Sequence, residues 1–320
     1  MTSDGGSMMR VGVMGAGAVG TFFGATLARA GLPVTLVGRE GHVRAIEADG
    51  LEVTSGGDVG HVRMAASTSI EALRDMDVVL VAVKSVHTDA VATDLGRVLG
   101  PATMVVSLQN GVDNAWRLSA RLPNPVVPAA IYVSVEMTGP GRLRHNGGGS
   151  IVAGRPLRDG VTSPVSGAGL DALVAHFVAA GVACTVSDDI RVDLWTKLTA
   201  NCAYNAVSAL AQLRYRHLAA HEGTREVMRM VTEENAAVAA AEGVPVTIDT
   251  LTLAVRRIAE VMPEALSSTA QDLQLGRPTE IDDLNGFVVR RGQALGVPTP
   301  VNRTLQALVS LVEQARRSPA

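Results

Sequence analysis

The chain has 320 residues, 47% hydrophobic but only 3% aromatic, and its 28 Lys and Arg nearly balance 31 Asp and Glu for a formal charge of −3. That length exceeds a single hydrophobic core and predicts two domains. The balanced charge, without blocks of one sign, argues against a nucleic-acid or anionic-membrane partner. The longest apolar runs, such as Val78 to Val83, are too short to cross a bilayer and read as buried strands.

In chain order, the first ten residues are polar and glycine-rich, a short disordered lead-in with no targeting segment, and structure is expected from about Met9. Met9 to Met14 is an apolar strand. Gly15-Ala16-Gly17-Ala18-Val19-Gly20 follows and opens a helix to about Ala30, which Gly31 stops before a strand at Val34 to Val37. Further strands are expected at Val62–Ala65, Val78–Ala82, Thr103–Ser107 and Val126–Ser134, with helices near Ser69–Arg74 and Thr88–Leu99. Such alternation predicts a mostly parallel sheet with helices on both faces. Shorter, glycine-broken strands at Arg142–His145 and Ser150–Ala153 read as antiparallel hairpins at one edge. A helix at Leu170–Ala180 and a last strand at Val182–Val186 complete this half.

After Asp188 the strands stop. Periodic apolar residues predict helices near Ile190–Ala211, Thr224–Glu242, Ile248–Val261, Asp283–Leu295 and Val301–Ala315. The expected division is therefore an α/β Rossmann-like domain over 1–187 and an all-α domain over 188–320. The only cysteines, Cys184 and Cys202, have no metal-ligand spacing and read as reduced thiols of a cytoplasmic protein. No His/Cys/Asp cluster has the spacing of a metal site.

Gly15-x-Gly17-x-x-Gly20 lies between a strand and a helix, the setting a dinucleotide turn requires. The first glycine permits the turn, the second lets backbone approach a pyrophosphate, and the third lets helix and strand pack closely. Residues 15–20 (Ala16, Ala18 and Val19 included) are thus candidate cofactor-binding residues. An NAD site would carry Asp or Glu at the end of the second strand. Gly38 stands there, then Arg39, whose guanidinium suits a 2′-phosphate, so NADP(H) is read over NAD(H). Glu40 keeps NAD(H) as the alternative.

In the second half, Lys197, Asn201 and Asn205 lie at i, i+4 and i+8 and share one helix face. Lys197 could protonate a carbonyl oxygen as hydride reaches its carbon, or be a solvated helix lysine. Leu194 and Trp195 project elsewhere and read as core. Thr279 is expected to cap the next helix and so put Glu280 at its start, to pair with Lys197, accept the substrate hydroxyl or merely meet the helix dipole. Ser268 could bind a carboxylate or begin a helix. Asp272, Asp282 and Asn285 read as structural. Asn110, after the strand Thr103–Ser107, suits nicotinamide or substrate, although Asn-Gly is also a common turn. Lys84 after Val78–Ala82 could attract anions or be a surface lysine. His145 reads as a structural residue of an edge loop.

Leu108-Gln109-Asn110-Gly111, Trp195-Thr196-Lys197-Leu198 with Asn201 and Asn205, and Ser267-Ser268 through Gly276-Arg277-Pro278-Thr279-Glu280-Ile281-Asp282 stand in family order. With them the chain resembles the ketopantoate reductase (2-dehydropantoate 2-reductase) family from Met9 to about Val312. The resemblance implies an N-terminal Rossmann domain, a helical C-terminal domain and a cleft that closes over NADPH. It further implies Lys197 as general acid, supported by Glu280, with Asn201, Asn205 and Ser268 binding substrate. Asn110 and Lys84 match positions near the nicotinamide, cofactor phosphates or substrate, and Arg39 the residue favouring the 2′-phosphate. The chain departs from the family at Ala206-Val207-Ser208-Ala209-Leu210, at Thr269, and at Gln212–His217, which lacks an asparagine sometimes used for substrate.

The expected activity is NADPH-dependent reduction of ketopantoate to pantoate, a step toward pantothenate and coenzyme A. Its alternatives are another 2-oxo acid or carbonyl substrate, or a dinucleotide-binding sensor without turnover. The partner is a small 2-oxo acid, with neither nucleic acid nor membrane. The apolar faces of the long C-terminal helices are compatible with a homodimer interface or with internal core.

Overall fold

The computed structural model describes residues 8–155, 157–158, 161–162 and 165–317; the first seven residues of the expected lead-in lie outside these. The chain forms two compact units, one running to Gln109 and resuming over Asp113–Ile190, the other comprising Asn110–Val112 and the chain from Arg191.

The first unit runs β1 (Val11–Met14), α1 (Ala18–Arg29), β2 (Val34–Val37), α2 (Glu40–Asp49), β3 (Leu51–Ser55), β4 (Asp58–Val62), β5 (Ala65–Ser67), β6 (Val78–Val81), α3 (Thr88–Val98), β7 (Met104–Ser107), α4 (Asn114–Ser119), β8 (Val126–Gly139) and β9 (Arg142–Ala153). The short pair β10 (Leu157–Arg158) and β11 (Val161–Thr162) precedes α5 (Gly167–Ala179) and β12 (Ala183–Val186). The main sheet is ordered β4-β3-β9-β8-β7-β6-β1-β2-β5, with β12 also on β9. From β5 to the start of β8 every pairing is parallel. The chain order reverses between β1 and β6, the switch point where ligands of such sheets bind.

Strand β6 shows why the sheet is covered on both faces. Val78 and Leu80 point into one core with Phe23 and Leu27 of α1. Val79 and Val81 point into the other with Leu95 of α3 and Leu118 of α4. Alternate side chains of one strand face opposite ways, so a strand apolar at every position needs two cores.

Two expected strands are corrected. Val62–Ala65 is not one strand: β4 ends at Val62, antiparallel to β3, and β5 starts at Ala65, parallel to β2. Only Arg63 and Met64 connect these opposite ends of the strand order, and two residues span less than about 10 Å, so the sheet is curled. Nor are Arg142–His145 and Ser150–Ala153 short edge strands. They are one strand, β9, with β8 on one side and β3 and β12 on the other. Between its halves the register slips from Tyr132↔Ser150 to Val133↔Gly148. Gly147, Gly148 and Gly149 take φ of 135°, 75° and 129° there, and a bulge absorbs the glycines the sequence offers as a break. His145 is therefore carried in a strand, not in an edge loop; its ring stacks on Phe22 with centroids 4.7 Å apart and bonds Ser55 Oγ and the Gly148 carbonyl.

The second unit is helical: α6 (Ile190–Ala211), α7 (Tyr215–Ala220), α8 (Glu222–Ala241), α9 (Ile248–Val261), α10 (Ser268–Gln274), α11 (Asn285–Leu295) and α12 (Pro300–Arg317). The periodicity predicts α6 and α9 residue for residue. Thr247 caps α9 by accepting from Thr250 N at 3.1 Å, left-handed Gly296 ends α11, and Pro300 opens α12. Trp195 and Leu198 of α6 are buried, with Trp195 against Phe287 of α11.

The interior of this unit is also polar. Asn302 Nδ2 donates to Glu234 Oε2 and Asn235 Oδ1, Asn285 Nδ2 to Asn302 Oδ1 and the Cys202 carbonyl, and Asn235 Nδ2 to Thr199 Oγ1. This chain of amides fixes α6 against α8, α11 and α12, since leaving any buried member unpaired would cost about 1–3 kcal/mol. No described helix is long and apolar enough to cross a membrane.

Candidate active site

Each glycine of the 15–20 turn has its own reason. The N–H groups of Gly15 and Ala16 both donate to the Val37 carbonyl at 3.1 Å, tying the turn to β2. Gly15 has φ 110°, and a Cβ there would lie 2.8 Å from Val83 N. At Gly20 a Cβ would lie 2.2 Å from the Gly15 carbonyl oxygen. Gly17, the N-cap of α1, differs: a Cβ on it would meet nothing within 4 Å. Protein atoms account for two of the glycines, and the third opens on free space beside the N–H groups that begin α1. Ala18 and Val19 start that helix, and its first turn holds no acidic residue. Helix dipole, free donors and an unfilled approach suit a phosphate.

Gly38 follows β2. A Cβ there would lie 2.3 Å from Ala16 Cβ, so the acidic residue of an NAD site could enter only by moving the glycine turn. Arg39 is exposed and caps α2. Glu40 is engaged by Arg44 one turn on. Lys84, partly exposed, follows β6 at the switch point and begins a 3-10 turn over Ser85–His87.

Beneath these strand ends lies a buried network with no signal in the sequence, because its members come from two separate stretches, 85–88 and 109–114. Gln109 Nε2 donates to Thr88 Oγ1 at 2.7 Å, Thr88 Oγ1 to Asn114 Oδ1 at 2.8 Å, and Asn114 Nδ2 to Ser85 Oγ at 2.9 Å. It locks the segment after β6 to the residues after β7.

In the helical unit, Lys197 and Asn201 of α6 are partly exposed and Asn205 is buried, so the stripe runs inward along the helix. Burial lowers the Lys197 ammonium from its ordinary range to about 8, the charge of Glu280 opposing that shift. Asn110 belongs to this unit and donates from Nδ2 to Glu280 Oε2 at 3.1 Å. Glu280 is thus bonded by the carboxamide of Asn110 and lies near enough to Lys197 for its charge to act on the amine. Asn205 Oδ1 accepts from Tyr215 OH, and its backbone carbonyl from Ser267 Oγ.

Thr279 does not cap a helix, which corrects the expectation for this segment. Its Oγ1 and N both donate to Glu313 Oε2, at 2.6 and 3.0 Å. Residues 281–284 form a turn in which Asp283 N and Leu284 N donate to the Glu280 carbonyl, and α11 begins only at Asn285. Glu280 is held by its turn and by Asn110 rather than by a helix dipole. Ser268 is the first, exposed residue of α10; the capping oxygen belongs to buried Ser267, which accepts from Ala270 N at 3.0 Å. Asn285 is buried in the amide chain, and Asp282 accepts from Gln306.

Two family models match this chain: ketopantoate reductase PanE/ApbA over residues 11–157 and its C-terminal counterpart over 189–313. The 2-dehydropantoate 2-reductase of Mesorhizobium japonicum is 32% identical, over 96% of this chain and 97% of its own length. A crystal structure of a PanE/ApbA family ketopantoate reductase from Ralstonia eutropha JMP134 shares 47% identity and superposes with TM-score 0.88, covering 97% of this chain and 100% of that one. D-mandelate dehydrogenase, solved with NADH and anilino(oxo)acetate, has TM-score 0.89 over 97% of this chain and 100% of its own, at 24% identity, which speaks to fold alone. The chain belongs to the ketopantoate reductase family of oxidoreductases.

Proposed function

We propose that this protein reduces ketopantoate to pantoate with NADPH. The supporting observation is the placement of Glu280, bonded by Asn110 and acting on the charge of Lys197, in the unit whose family model is the reductase's own C-terminal half. The open side of Gly17 and the donors at the start of α1 fit the cofactor diphosphate, and Gly38 with Arg39 fits a 2′-phosphate better than a bare ribose hydroxyl. When bound, a reduced nicotinamide supplies a hydride to the ketone carbon.

The chain's own residues do the rest. Lys197 carries the proton that the developing alkoxide needs, and its lowered pKa brings the amine close to working pH. Glu280 keeps the ammonium protonated and oriented, while Asn110 fixes the carboxylate that does so. Asn201, Asn205 and Ser268 bind the carboxylate and hydroxyl of the substrate, and Lys84 draws its negative charge.

A second reading keeps the chemistry and changes the 2-oxo acid. It is favoured by the segment after α6, where Tyr215 occupies the Asn205 oxygen in a stretch that lacks the family's asparagine. Loss of NADPH absorbance with ketopantoate, set against a panel of 2-oxo acids and against NADH, decides between them. A kcat/KM highest for ketopantoate with NADPH is expected. A higher value for another acid transfers the assignment to it, and no turnover with any of them overturns both readings.

A further inference from the structure

We propose that Tyr215 is a positioning residue that fixes the Asn205 carboxamide as a hydrogen-bond donor for the carboxylate of the 2-oxo acid. This inference rests on the reading above that Asn205 binds substrate. It begins where α6 ends. Gln212, at φ 54°, is the one non-glycine residue with positive φ among the described residues, and a side chain there is strained. The chain turns sharply at this point, held by Gln212 Nε2 on the Ala209 carbonyl at 2.6 Å and by Ser208 Oγ on the Leu213 carbonyl at 2.9 Å.

The reversal starts α7 at Tyr215 and lays its ring against Tyr204, with centroids 4.7 Å apart and planes at 51°. Tyr215 OH then donates to Asn205 Oδ1 at 3.3 Å. Tyr215 N is held by the Ala265 carbonyl at 3.0 Å, which fixes the backbone, and burial of the ring against Tyr204 restrains the phenol.

A carboxamide has one acceptor end and one donor end. With its oxygen committed to Tyr215, Asn205 has its two N–H donors left to offer. Burial pushes the Tyr215 phenol well above its ordinary range, so it keeps the proton it donates. A carboxylate only accepts, whereas a substrate hydroxyl would tolerate either end of the amide. The assignment therefore gives Asn205 the acid group. Without the phenol hydroxyl the amide is free to turn its oxygen toward the incoming carboxylate, which repels it.

The test is a double-mutant cycle of Tyr215→Phe and Asn205→Ala, read as KM and kcat for ketopantoate with NADPH saturating and accompanied by thermal melts. Tyr215→Phe is expected to raise KM about fivefold, the effect of one neutral hydrogen bond, with kcat changing much less. In the Asn205→Ala background the same substitution should add nothing, because there is no amide left to orient. A KM within twofold of wild type for Tyr215→Phe overturns the inference. So does a Tyr215→Phe effect of full size in the Asn205→Ala background, or one that tracks a lowered melting temperature, since either would make Tyr215 a packing residue. A wild-type protein inactive on every 2-oxo acid overturns the proposed function itself and this inference with it. Wild-type activity with an insensitive Tyr215→Phe overturns this inference alone.

Discussion

The α/β unit makes its candidate site by leaving side chains out, whereas the helical unit makes its own by setting three polar side chains on one helix and securing them from behind. In the first, the candidate groups are backbone N–H donors at the start of α1, and Gly17 keeps protein atoms out of their way. In the second, the candidate groups are Lys197, Asn201 and Asn205: Asn205 is bonded by Tyr215, the charge of Glu280 acts on Lys197, and the amide chain through Asn235 and Asn302 ties down their helix at Thr199. A site of the first kind is damaged by adding atoms and one of the second by removing them.

The largest expected effect removes the acid. Lys197→Ala should lower kcat by about 10²–10⁴-fold, the usual contribution of a positioned proton donor, while NADPH binding, followed by its fluorescence, stays near wild type. Near-normal turnover would break the contrast between the two regions by showing that the helix face does no chemistry. In the wild type, kcat/KM for reduction should be level below about pH 8 and fall roughly tenfold per pH unit above it, as the ammonium needed as acid is lost. Linkage has its own sign here. A lysine whose folded pKa is lowered binds fewer protons folded than unfolded between about 8 and its ordinary value, so stability rises with pH through that window. Lys197→Met should abolish both dependences.

The glycine turn sharpens the comparison, because two of its members separate fold from binding. Gly20→Ala drives a methyl against the Gly15 carbonyl and should cost about 1–3 kcal/mol of stability, the range for overpacking. Gly17→Ala meets no protein atom, so its melting temperature should hold. Its methyl would still stand where the diphosphate approaches, raising the NADPH Kd about tenfold, a loss near 1.4 kcal/mol. If Gly17→Ala binds NADPH as well as wild type does, the open side of the turn is not the phosphate seat.

How much was legible in the sequence follows the same division. The glycine turn and the α6 stripe are local, and each could be read from one stretch of chain with its physical period. β6 and α6 were found because uninterrupted apolar residues, or a long helical period, leave few alternatives. The short elements α2, α4 and α7 have no counterpart in the sequence reading because each offers too few apolar positions to reveal a period. Partners were the harder matter. That Gln109 would bond Thr88, or that Asn110 would reach Glu280, depends on tertiary contacts between residues 21 and 170 apart. The turn at Thr279 has the same cause: the local sequence suits a helix cap, and Thr279 Oγ1 does accept from Ile281 N at 3.4 Å, but the segment is tied through Thr279 N and Oγ1 to Glu313, 34 residues away, and forms a turn before α11. The glycines of β9 looked like a break, and became a bulge because strands on both sides hold the chain extended.

The smallest effect tests whether the helix face is tuned at a distance by strain. Gln212 occupies, just past the end of α6, the left-handed position where glycine is favoured. Gln212→Gly should relieve that conformation while losing the side-chain bond to the Ala209 carbonyl and gaining freedom in the unfolded chain. The first outweighs the others only slightly, for a net gain of about 0.5 kcal/mol by chemical denaturation. Because glycine keeps the turn, α7 still begins at Tyr215, and KM for the 2-oxo acid should stay where it was. Gln212→Val, a β-branched side chain that fits this region poorly, should instead destabilise the turn and raise KM along with it. If KM follows the turn in this way, the second region's site extends beyond the residues on α6 to the backbone that carries Tyr215 back to them. It would then share with the glycine loop a dependence on unusual backbone, reached from the opposite direction.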